Sequence, residues 1–506
     1  MATLHWLDLI AIAAYFAVLL WIGIRVVRRE HGEGEGESFL AADRNMGLVQ
    51  TTASTAATDL GGGFSIAMGG LGFTLGVSGS WLIAISGLSV VMVSFLLVPK
   101  VKRWADRMRG LTTGDLFEAR FDRRTGTLAA LVIGIAWFTF VGGQVVAGAK
   151  LLQVTMAINL TLAVVLSGAV ILAYTAMGGL KAVIYTDVFQ MVVLLIGIVF
   201  IAVPIGLYHV GGWSGIVEHF SANPETISMV QWDALGWSKI IGWFFAIFPV
   251  WFISIAAMQR IVAARDERTA RLAFFMTGVP IEWPLFAIGS TLVGVIARML
   301  IPDIPDPELA TPMVIMHLLP VGVAGFVIAA YIAAVMSTAD SVLMGPVAIA
   351  TNDIYRKYFR PDANEQALVR FARAATLIIG SLGIALAYFV PNVLDLMLYA
   401  YTFGAAGLFF PMLGLLFWRR TTASGAFWSM ISGGGSALAW ALLQDWTWLQ
   451  SWAWHAHWAS FDQTYGIDPS YAGWVIGLPV LIIVSLLTEH SSDENIDVFE
   501  KRLADG

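Results

Sequence analysis

Residues 58–63 read Thr-Asp-Leu-Gly-Gly-Gly and interrupt an apolar stretch that runs from residue 47 to residue 76. A second apolar stretch, residues 320–350, is interrupted by the polar run Met336-Ser337-Thr338-Ala339-Asp340-Ser341. Backbone without helical hydrogen bonds is tolerated at membrane depth only where protein encloses it or where it lines a wet cavity. Its freed carbonyls are then available to a hard cation. The two interruptions therefore predict an ion-coupled membrane transporter.

The composition places the chain among membrane proteins. Of its 506 residues, 58% are hydrophobic and 13% are charged, which is too apolar for a soluble fold. Apolar stretches of about 20 residues, the length of a membrane-crossing helix, recur along the whole chain and predict an all-α polytopic membrane protein. The chain has no cysteine, which excludes thiolate catalysis, cysteine-ligated metal sites and disulfides.

The apolar stretches predict about thirteen transmembrane helices. The predicted spans are 5–26, 47–76, 78–99, 127–156, 159–176, 181–207, 237–262, 269–300, 320–354, 368–389, 391–418, 424–444 and 471–488. With the N-terminus outside, all but Lys150, Lys239 and Arg298 of the 29 lysines and arginines fall in cytoplasmic segments. The positive-inside rule thus predicts a multi-pass protein of the plasma (inner) membrane, with its N-terminus outside and its C-terminus in the cytoplasm.

One predicted outer loop is rich in tryptophan. This composition is typical of an interfacial aromatic belt, and a lid over the outer face is the alternative. The tryptophans concerned are Trp446, Trp448, Trp452, Trp454 and Trp458.

Four acidic residues fall inside predicted spans, where each charge costs a few kcal/mol, so they are functional candidates. They are Asp59, Asp187, Glu282 and Asp340, and Lys150 is the cation nearest to them in predicted depth. Glu282 lies between Pro280 and Pro284. A helix-to-helix hydrogen bond in irregular backbone explains Glu282 as well as a functional role does.

The polar run of the second stretch has a geometry of its own. Ala334, Ser337, Thr338 and Ser341 follow helical spacing and share one face, which Asp340 borders. Hydroxyl and carbonyl oxygens with few fixed charges suit a monovalent hard cation. A packing seam of small residues is the alternative explanation, but a seam does not require an aspartate.

These residues resemble the sodium:solute symporter family. The motifs that carry the resemblance are GGLKAVIYTDVFQ at 178–190, AAVMSTADS at 333–341 and WFFAIFPVWF at 243–252. The resemblance implies a LeuT-like fold of two inverted five-helix repeats with a broken first core helix. We expect an anchor helix and cytoplasmic loop at 1–46, repeats at 47–207 and 237–418, and two C-terminal helices with a short cytoplasmic tail at 419–506.

The resemblance also implies sodium as the coupling ion. It places a first sodium site at the carbonyls of Ala57, Leu60 and Ala334 and the hydroxyls of Ser337 and Thr338. It places a second, tentative site at Asp187, Ser337, Asp340 and Ser341. Because Asp340 adds a carboxylate to a set that is hydroxyl-only in relatives, a second sodium and a proton shared by Asp187 and Asp340 both remain open.

The predicted solute site lies beside the broken segment. Its residues are Asp59, Gly61, Gly62, Gly63, Phe140, Gln144, Phe248 and Trp251. Aromatic and polar groups that the proline and sugar relatives use are absent from matching positions, and the three glycines are expected to widen the pocket. The amino end of a half-helix near Gly62 favours a carboxylate, so we expect an amino-acid-like solute or organic acid.

The sequence therefore predicts a sodium-coupled secondary active symporter that imports a small organic solute by alternating access. Its predicted partners are the solute and the lipid bilayer, with no nucleic acid and no obligate protein partner. An enzyme is not expected, because no two of the eight histidines form a metal-binding pair at membrane depth. A proton-coupled symporter of the same fold and a solute-sensing membrane receptor are the alternatives.

Overall fold

The structure is a computed structural model that describes residues 4–28, 41–177, 180–445, 469–489 and 493–503. The tryptophans predicted to form an outer belt, Trp446 to Trp458, lie outside these residues. Within them, regular structure is helical apart from one isolated bridge between Met46 and Ala264. The predicted all-α class is confirmed.

The helices of the first half begin with an N-terminal helix and include one helix of 33 residues. They are α1 (Trp6–Arg28), α2 (Leu48–Asp59), α3 (Gly62–Leu75), α4 (Trp81–Leu96), α5 (Val98–Met108), α6 (Thr113–Arg120), α7 (Arg123–Thr155), α8 (Leu160–Met177), α9 (Leu180–Leu194), α10 (Val203–His209) and α11 (Gly212–Ser221). A wider π-helical segment, Leu195–Ala202, joins α9 to α10.

The helices of the second half contain two further π-helical segments, Thr277–Phe286 and Ile349–Phe359. The helices are α12 (Trp237–Ile253), α13 (Ile255–Ala263), α14 (Glu267–Met276), α15 (Ala287–Leu300), α16 (Ala310–Leu318), α17 (Val323–Ala348), α18 (Glu365–Phe389), α19 (Val393–Phe417), α20 (Ala423–Asp445), α21 (Pro469–Leu487) and α22 (Asp493–Leu503).

By length and apolar composition, nine helical rods in the described ranges can cross a membrane, or ten if α12 and α13 form one span. The prediction of about thirteen spans is therefore supported only in its coarser form, that of a multi-pass helical protein. Some predicted spans are divided differently: residues 64–96, for example, form one nearly continuous helical stretch.

The helix α17 lies at the centre of the protein. It contacts α1, α2, α3, α7, α9 and α18, and nearly every one of its residues is buried. The prediction of an interrupted helix was wrong here, because α17 runs unbroken through Met336 to Ser341. Neighbouring helices, rather than a break in the backbone, accommodate its polar residues.

The helices α12 and α13 are bent by 46° at Ser254. Ser254 has extended backbone (φ −56°, ψ 117°), and its hydroxyl accepts a hydrogen bond of 3.1 Å from the amide of Ala257. Such a serine cap satisfies one of the free amides at the start of α13. The sequence prediction of one straight span at 237–262 therefore missed a second break.

A short backbone contact joins the start of α2 to the end of α13. The amide of Met46 donates to the carbonyl of Ala263 at 2.9 Å, and the amide of Arg265 donates to the carbonyl of Met46 at 3.0 Å. The two interrupted helical pairs, α2–α3 and α12–α13, are thus tied together at one end.

Basic loops that are far apart in sequence gather at that same end of the protein. Arg103 pairs with Glu267 at 2.7 Å and donates to the carbonyl of Leu503 at 2.9 Å. Arg120 donates to the carbonyl of Arg419 at 3.0 Å. This arrangement agrees with the prediction that these segments share one side of the membrane.

Candidate functional site

The break between α2 and α3 is short. Leu60 still donates its amide to the carbonyl of Ala56 at 2.9 Å, but Gly61 is extended (φ −58°, ψ −178°) and ends the helical path. The last carbonyls of α2 then have no helical donor, as at any helix end. They face α17.

Four oxygen atoms converge at this break and form what we call the hydroxyl–carbonyl cluster. The hydroxyl of Ser337 lies 2.9 Å from the carbonyl oxygen of Ala57. The hydroxyl of Thr338 lies 3.1 Å from the same carbonyl and 2.9 Å from that of Thr58. Ala57, Ser337 and Thr338 are completely buried. An uncharged oxygen set of this kind suits sodium.

The cluster differs from the predicted first sodium site at two positions. The carbonyl of Thr58 belongs to it, although it was not predicted, and its place in the last turn of a broken helix was the signal that could have identified it. The carbonyl of Leu60 instead accepts a 2.8 Å hydrogen bond from the hydroxyl of Ser65. The Ala334 carbonyl lies at the edge of the cluster, 3.1 Å from the hydroxyl of Ser337.

The glycines of the break allow α2 and α3 to approach α17 closely. A methyl group at Gly61 would collide with the side chain of Thr338, and one at Gly62 would collide with Val335. The expectation that these glycines widen the solute pocket was therefore wrong for Gly61 and Gly62, because α17 fills the space. Gly63 follows in the first turn of α3.

A second polar cluster contains Ser54, Asp187, Arg260, Asp340 and Ser341, and we call it the Arg260 cluster. The guanidinium of Arg260 donates to Ser54 at 3.0 Å, to Asp187 at 3.2 Å and to Ser341. Ser54 donates to Asp187 at 2.5 Å, and Ser341 to Asp340 at 3.3 Å. All five side chains are at most 1% exposed.

Arg260 was missed as a site residue because it was assigned to a cytoplasmic loop. It lies inside the apolar run of α13, between Met258 and Val262, and a charge in such a run was the signal that could have revealed it. The predicted second-site residues Asp187, Asp340 and Ser341 do meet, but around this guanidinium. Ser337 belongs to the hydroxyl–carbonyl cluster instead.

Lys150 is not the partner of the buried carboxylates. It forms ion pairs with Asp306 and, at 3.5 Å, with Glu308, which lie in a separate part of the structure. Arg260 is therefore the cation that balances charge near the break.

Asp59 belongs to a third polar group beside the break. Its carboxylate accepts a 2.9 Å hydrogen bond from Ser86, whose hydroxyl accepts one of 2.9 Å from the indole of Trp251. The carboxyl group of Glu282 lies beside that of Asp59 and is completely buried. The structure thus places Glu282 at the candidate site rather than at a remote helix contact.

A small cavity lies beside both the break and the Arg260 cluster, and about 40 Å³ of it is large enough to admit water. Of the predicted solute-binding residues, Asp59, Phe140 and Trp251 line it. Gln144 and Phe248 do not. Phe248 instead stacks on Phe244 at 5.3 Å between ring centroids, and Gln144 is enclosed in α7.

The sodium:solute symporter family matches residues 39–433 of the chain. The chain belongs to this family. It is 26% identical to the osmoregulated proline transporter OpuE of Bacillus subtilis (strain 168), over 97% of both chains. It is 24% identical to the sodium/proline symporter of Staphylococcus aureus (strain JH9), over 96% of this chain and 93% of the relative.

Solved structures agree with this membership at the level of the fold. A Na⁺-coupled sialic acid symporter in a substrate-bound outward-open state superposes with a TM-score of 0.71, at 20% identity, over 96% of this chain and 99% of that one. The nucleobase-cation-symport-1 family transporter Mhp1 superposes with a TM-score of 0.53, at 16% identity, over 92% and 98% of the two chains. The fold is the LeuT-like transporter fold.

As a family member, this symporter is a multi-pass membrane transporter that uses sodium as its coupling ion, and it is not an enzyme. The hydroxyl–carbonyl cluster is chemically suited to that ion, since it offers only neutral oxygens at the break of the first core helix.

Proposed function

We propose that this symporter imports a small carboxylate-bearing solute together with one sodium ion that binds at the hydroxyl–carbonyl cluster. The observation that carries the proposal is the meeting of the Ala57 and Thr58 carbonyls with the Ser337 and Thr338 hydroxyls. Two helices that belong to different predicted repeats, 47–207 and 237–418, supply these oxygens. A cation between them favours the conformation in which the two helices touch.

The arrangement of breaks supports a solute site at the cavity. The pair α2–α3 is interrupted at Gly61 and the pair α12–α13 at Ser254, which are the opening helices of the two predicted repeats. Interrupted helices in corresponding positions of two halves are the best structural indication of a transporter's binding site. Residues of both breaks, Asp59 and Ser254, line the cavity.

Two arguments support a carboxylate on the solute. The amino end of α3 begins at Gly62, beside the break, and a helix amino end favours negative charge. In addition, the relatives described above are named for the transport of proline and of sialic acid, and both of these compounds carry a carboxylate group.

The Arg260 cluster supports the proposal of a single sodium per cycle. The guanidinium already supplies a positive charge to Asp187, at 3.2 Å, and contacts Ser341. A second sodium at Asp187, Ser337, Asp340 and Ser341 would have to compete with this fixed cation. We also propose the inner membrane as the location, with the basic end in the cytoplasm, because Arg103, Arg120 and Arg419 gather there.

In the proposed cycle, sodium enters from outside and stabilises the outward-open state, which then binds solute in the cavity. Inward opening separates α2 from α17 and weakens the sodium site. Coupling is then the difference in affinity of the two conformations for the two ligands.

The first test is the thermal stability of the purified protein as sodium replaces potassium at constant ionic strength, at two pH values. We expect a saturable gain that is specific for sodium, because a ligand that binds only the folded state stabilises it. A gain in stability that depends on pH but not on sodium would indicate that the coupling ion is a proton.

A further inference from the structure

Asp59 and Glu282 form a pair of adjacent carboxyl groups that have few hydrogen-bond donors and no cation bound to them among the described residues. Asp59 is partly exposed, and the space that it faces is the cavity that it lines. Glu282 lies behind it and is 0% exposed. Neither oxygen of Glu282 accepts a hydrogen bond of ordinary geometry from the described residues.

No cation in the described part of the chain forms an ion pair with either carboxylate. Arg260 lines the same cavity, but its Nε and Nη2 atoms are bound to Ser54, Asp187 and Ser341. Buried negative charge without a partner is costly. The cavity is therefore electrostatically prepared for a positive ligand at its Asp59 end.

Aromatic rings surround the same space. Trp137, Phe140, Trp251 and Tyr401 all line the cavity with Asp59. Phe140 lies between two of the others, with its ring centroid 6.1 Å from that of Trp137 and 5.6 Å from that of Tyr401. Ring faces attract cations within about 6 Å, and aromatic cages recognise ammonium groups in this way.

We infer that the solute carries a positively charged nitrogen, which binds between the Asp59 carboxylate and these aromatic rings, with the carboxyl group of Glu282 lying behind Asp59. The inference rests on the proposed function, which assigns the cavity to the solute. Combined with the proposed carboxylate, it identifies the solute class as zwitterions, either amino acids with a small side chain or betaines. A simple organic acid would leave the Asp59 end uncompensated.

Matched pairs of probes that differ only in this charge test the inference. The pairs are trimethylglycine with 3,3-dimethylbutanoate, proline with cyclopentanecarboxylate, and choline with 3,3-dimethylbutan-1-ol. Binding to the purified full-length protein is measured in sodium by calorimetry and by thermal stabilisation. We expect at least one member with a cationic nitrogen to bind about tenfold or more tightly than its carbon analogue, since cation–π and carboxylate contacts act together.

Equal binding within every pair would overturn the inference, as would tighter binding of the carbon analogues. A failure of all three compounds with a cationic nitrogen to bind at millimolar concentration would also count against it. The sodium-specific gain in stability, measured in the same samples, separates this outcome from failure of the proposed function. A lost solute preference with an intact sodium gain contradicts only the inference.

The variant Glu282→Gln removes the second carboxyl group of the pair while it keeps the size of the side chain. We expect the preference for the probe with the cationic nitrogen to fall about threefold or more, with the sodium-specific gain retained. The matched control is Glu308→Gln, a similarly buried glutamate that pairs with Lys150 away from the cavity, and it should leave the preference unchanged. An unchanged preference in a folded Glu282→Gln protein would contradict the role of Glu282. If Glu282→Gln does not fold, the probe pairs on the unmodified protein still decide.

Discussion

The guanidinium of Arg260 lies 3.2 Å from the carboxylate of Asp187, and neither side chain is more than 1% exposed. The pair joins α13 to α9 in the protein interior, next to the polar segment of α17. A fixed positive charge thus occupies the neighbourhood in which two carboxylates, Asp187 and Asp340, would otherwise repel each other.

Replacement of Asp187 by Asn should leave Arg260 buried without a full counter-charge. We expect a loss of roughly 3–5 kcal/mol in the free energy of unfolding, because breaking a buried ion pair exposes the full desolvation cost of the remaining charge. Thermal unfolding in detergent measures the effect. The control is Arg265→Gln, which breaks an ion pair of 3.1 Å whose side chains are 58% and 51% exposed and should cost at most about 1 kcal/mol. Similar losses in the two variants would show that the buried pair contributes no more than an exposed one.

Replacement of Thr338 by Ala should weaken sodium binding more than solute selectivity. We expect the sodium concentration for half-maximal transport to rise about tenfold, since one oxygen of the hydroxyl–carbonyl cluster is lost. Thr338→Ser keeps that oxygen and should retain most of the affinity. Thr351→Ala is the matched control, because Thr351 is equally buried but donates only to the carbonyl of Val347, at 2.8 Å. An unchanged sodium dependence in Thr338→Ala would remove Thr338 from the site.

A methyl group at Gly61 should force α2 away from α17. Gly61→Ala is expected to lose about 1–3 kcal/mol of stability through overpacking and to abolish the sodium-specific gain. The double variant Gly61→Ala with Thr338→Ala should recover only part of the stability and none of the sodium gain, because the β-carbon of residue 338 still lies 2.3 Å from the added methyl and the lost hydroxyl is a proposed ligand. Gly435→Ala, where no atom lies within 4 Å of the added methyl, should be neutral or slightly stabilising. Full sodium response in Gly61→Ala would contradict the close approach.

The stability of the basic end should decrease in acid because of Asp266. The amide of Thr269, which donates to Asp266 at 2.7 Å, lowers the pKa of this carboxyl below its usual value, and Arg265 adds to the effect. The folded state therefore favours the charged form. Its contribution is present above the ordinary pKa of aspartate and is lost as pH falls through the lower folded value.

The variant Asp266→Asn keeps the helix cap but cannot titrate. It should match the unmodified protein in acid, and at neutral pH it should be slightly less stable, whereas Asp266→Ala should lose about 1 kcal/mol as a missing cap. Melting temperatures between neutral pH and about pH 3 provide the comparison. Parallel curves for the Asn variant and the unmodified protein would contradict the assignment.

The types of residue near residue 61 were enough to predict the break between α2 and α3. Gly61 interrupts the helical path within the glycine run that predicted the break, and Ser337 and Thr338 share the helical face that their spacing indicated. Both features depend on neighbours in sequence, such as glycine's lack of a side chain and the period of a helix.

Features that depend on packing were missed. The bend at Ser254 lies in a largely apolar stretch in which Gly242 and Pro249 precede it by several residues, and the serine cap marks the bend itself. Arg260 looked like a loop residue because the positive-inside rule counts arginines by position along the chain and takes no account of buried partners such as Asp187. The supposed break in α17 was wrong because neighbouring helices supply partners for Ser337, Thr338 and Ser341 while the helix stays continuous.

The bridge between Met46 and Ala264 uses peptide groups alone. A latch of this kind is blind to the side chain of Arg265, which is 58% exposed, whereas Met46, Ala263 and Ala264 are buried and must keep side chains that fit the packing around them. In a complete substitution scan, residue 265 should look permissive to almost every amino acid, with proline the exception because it lacks the amide that residue 265 donates.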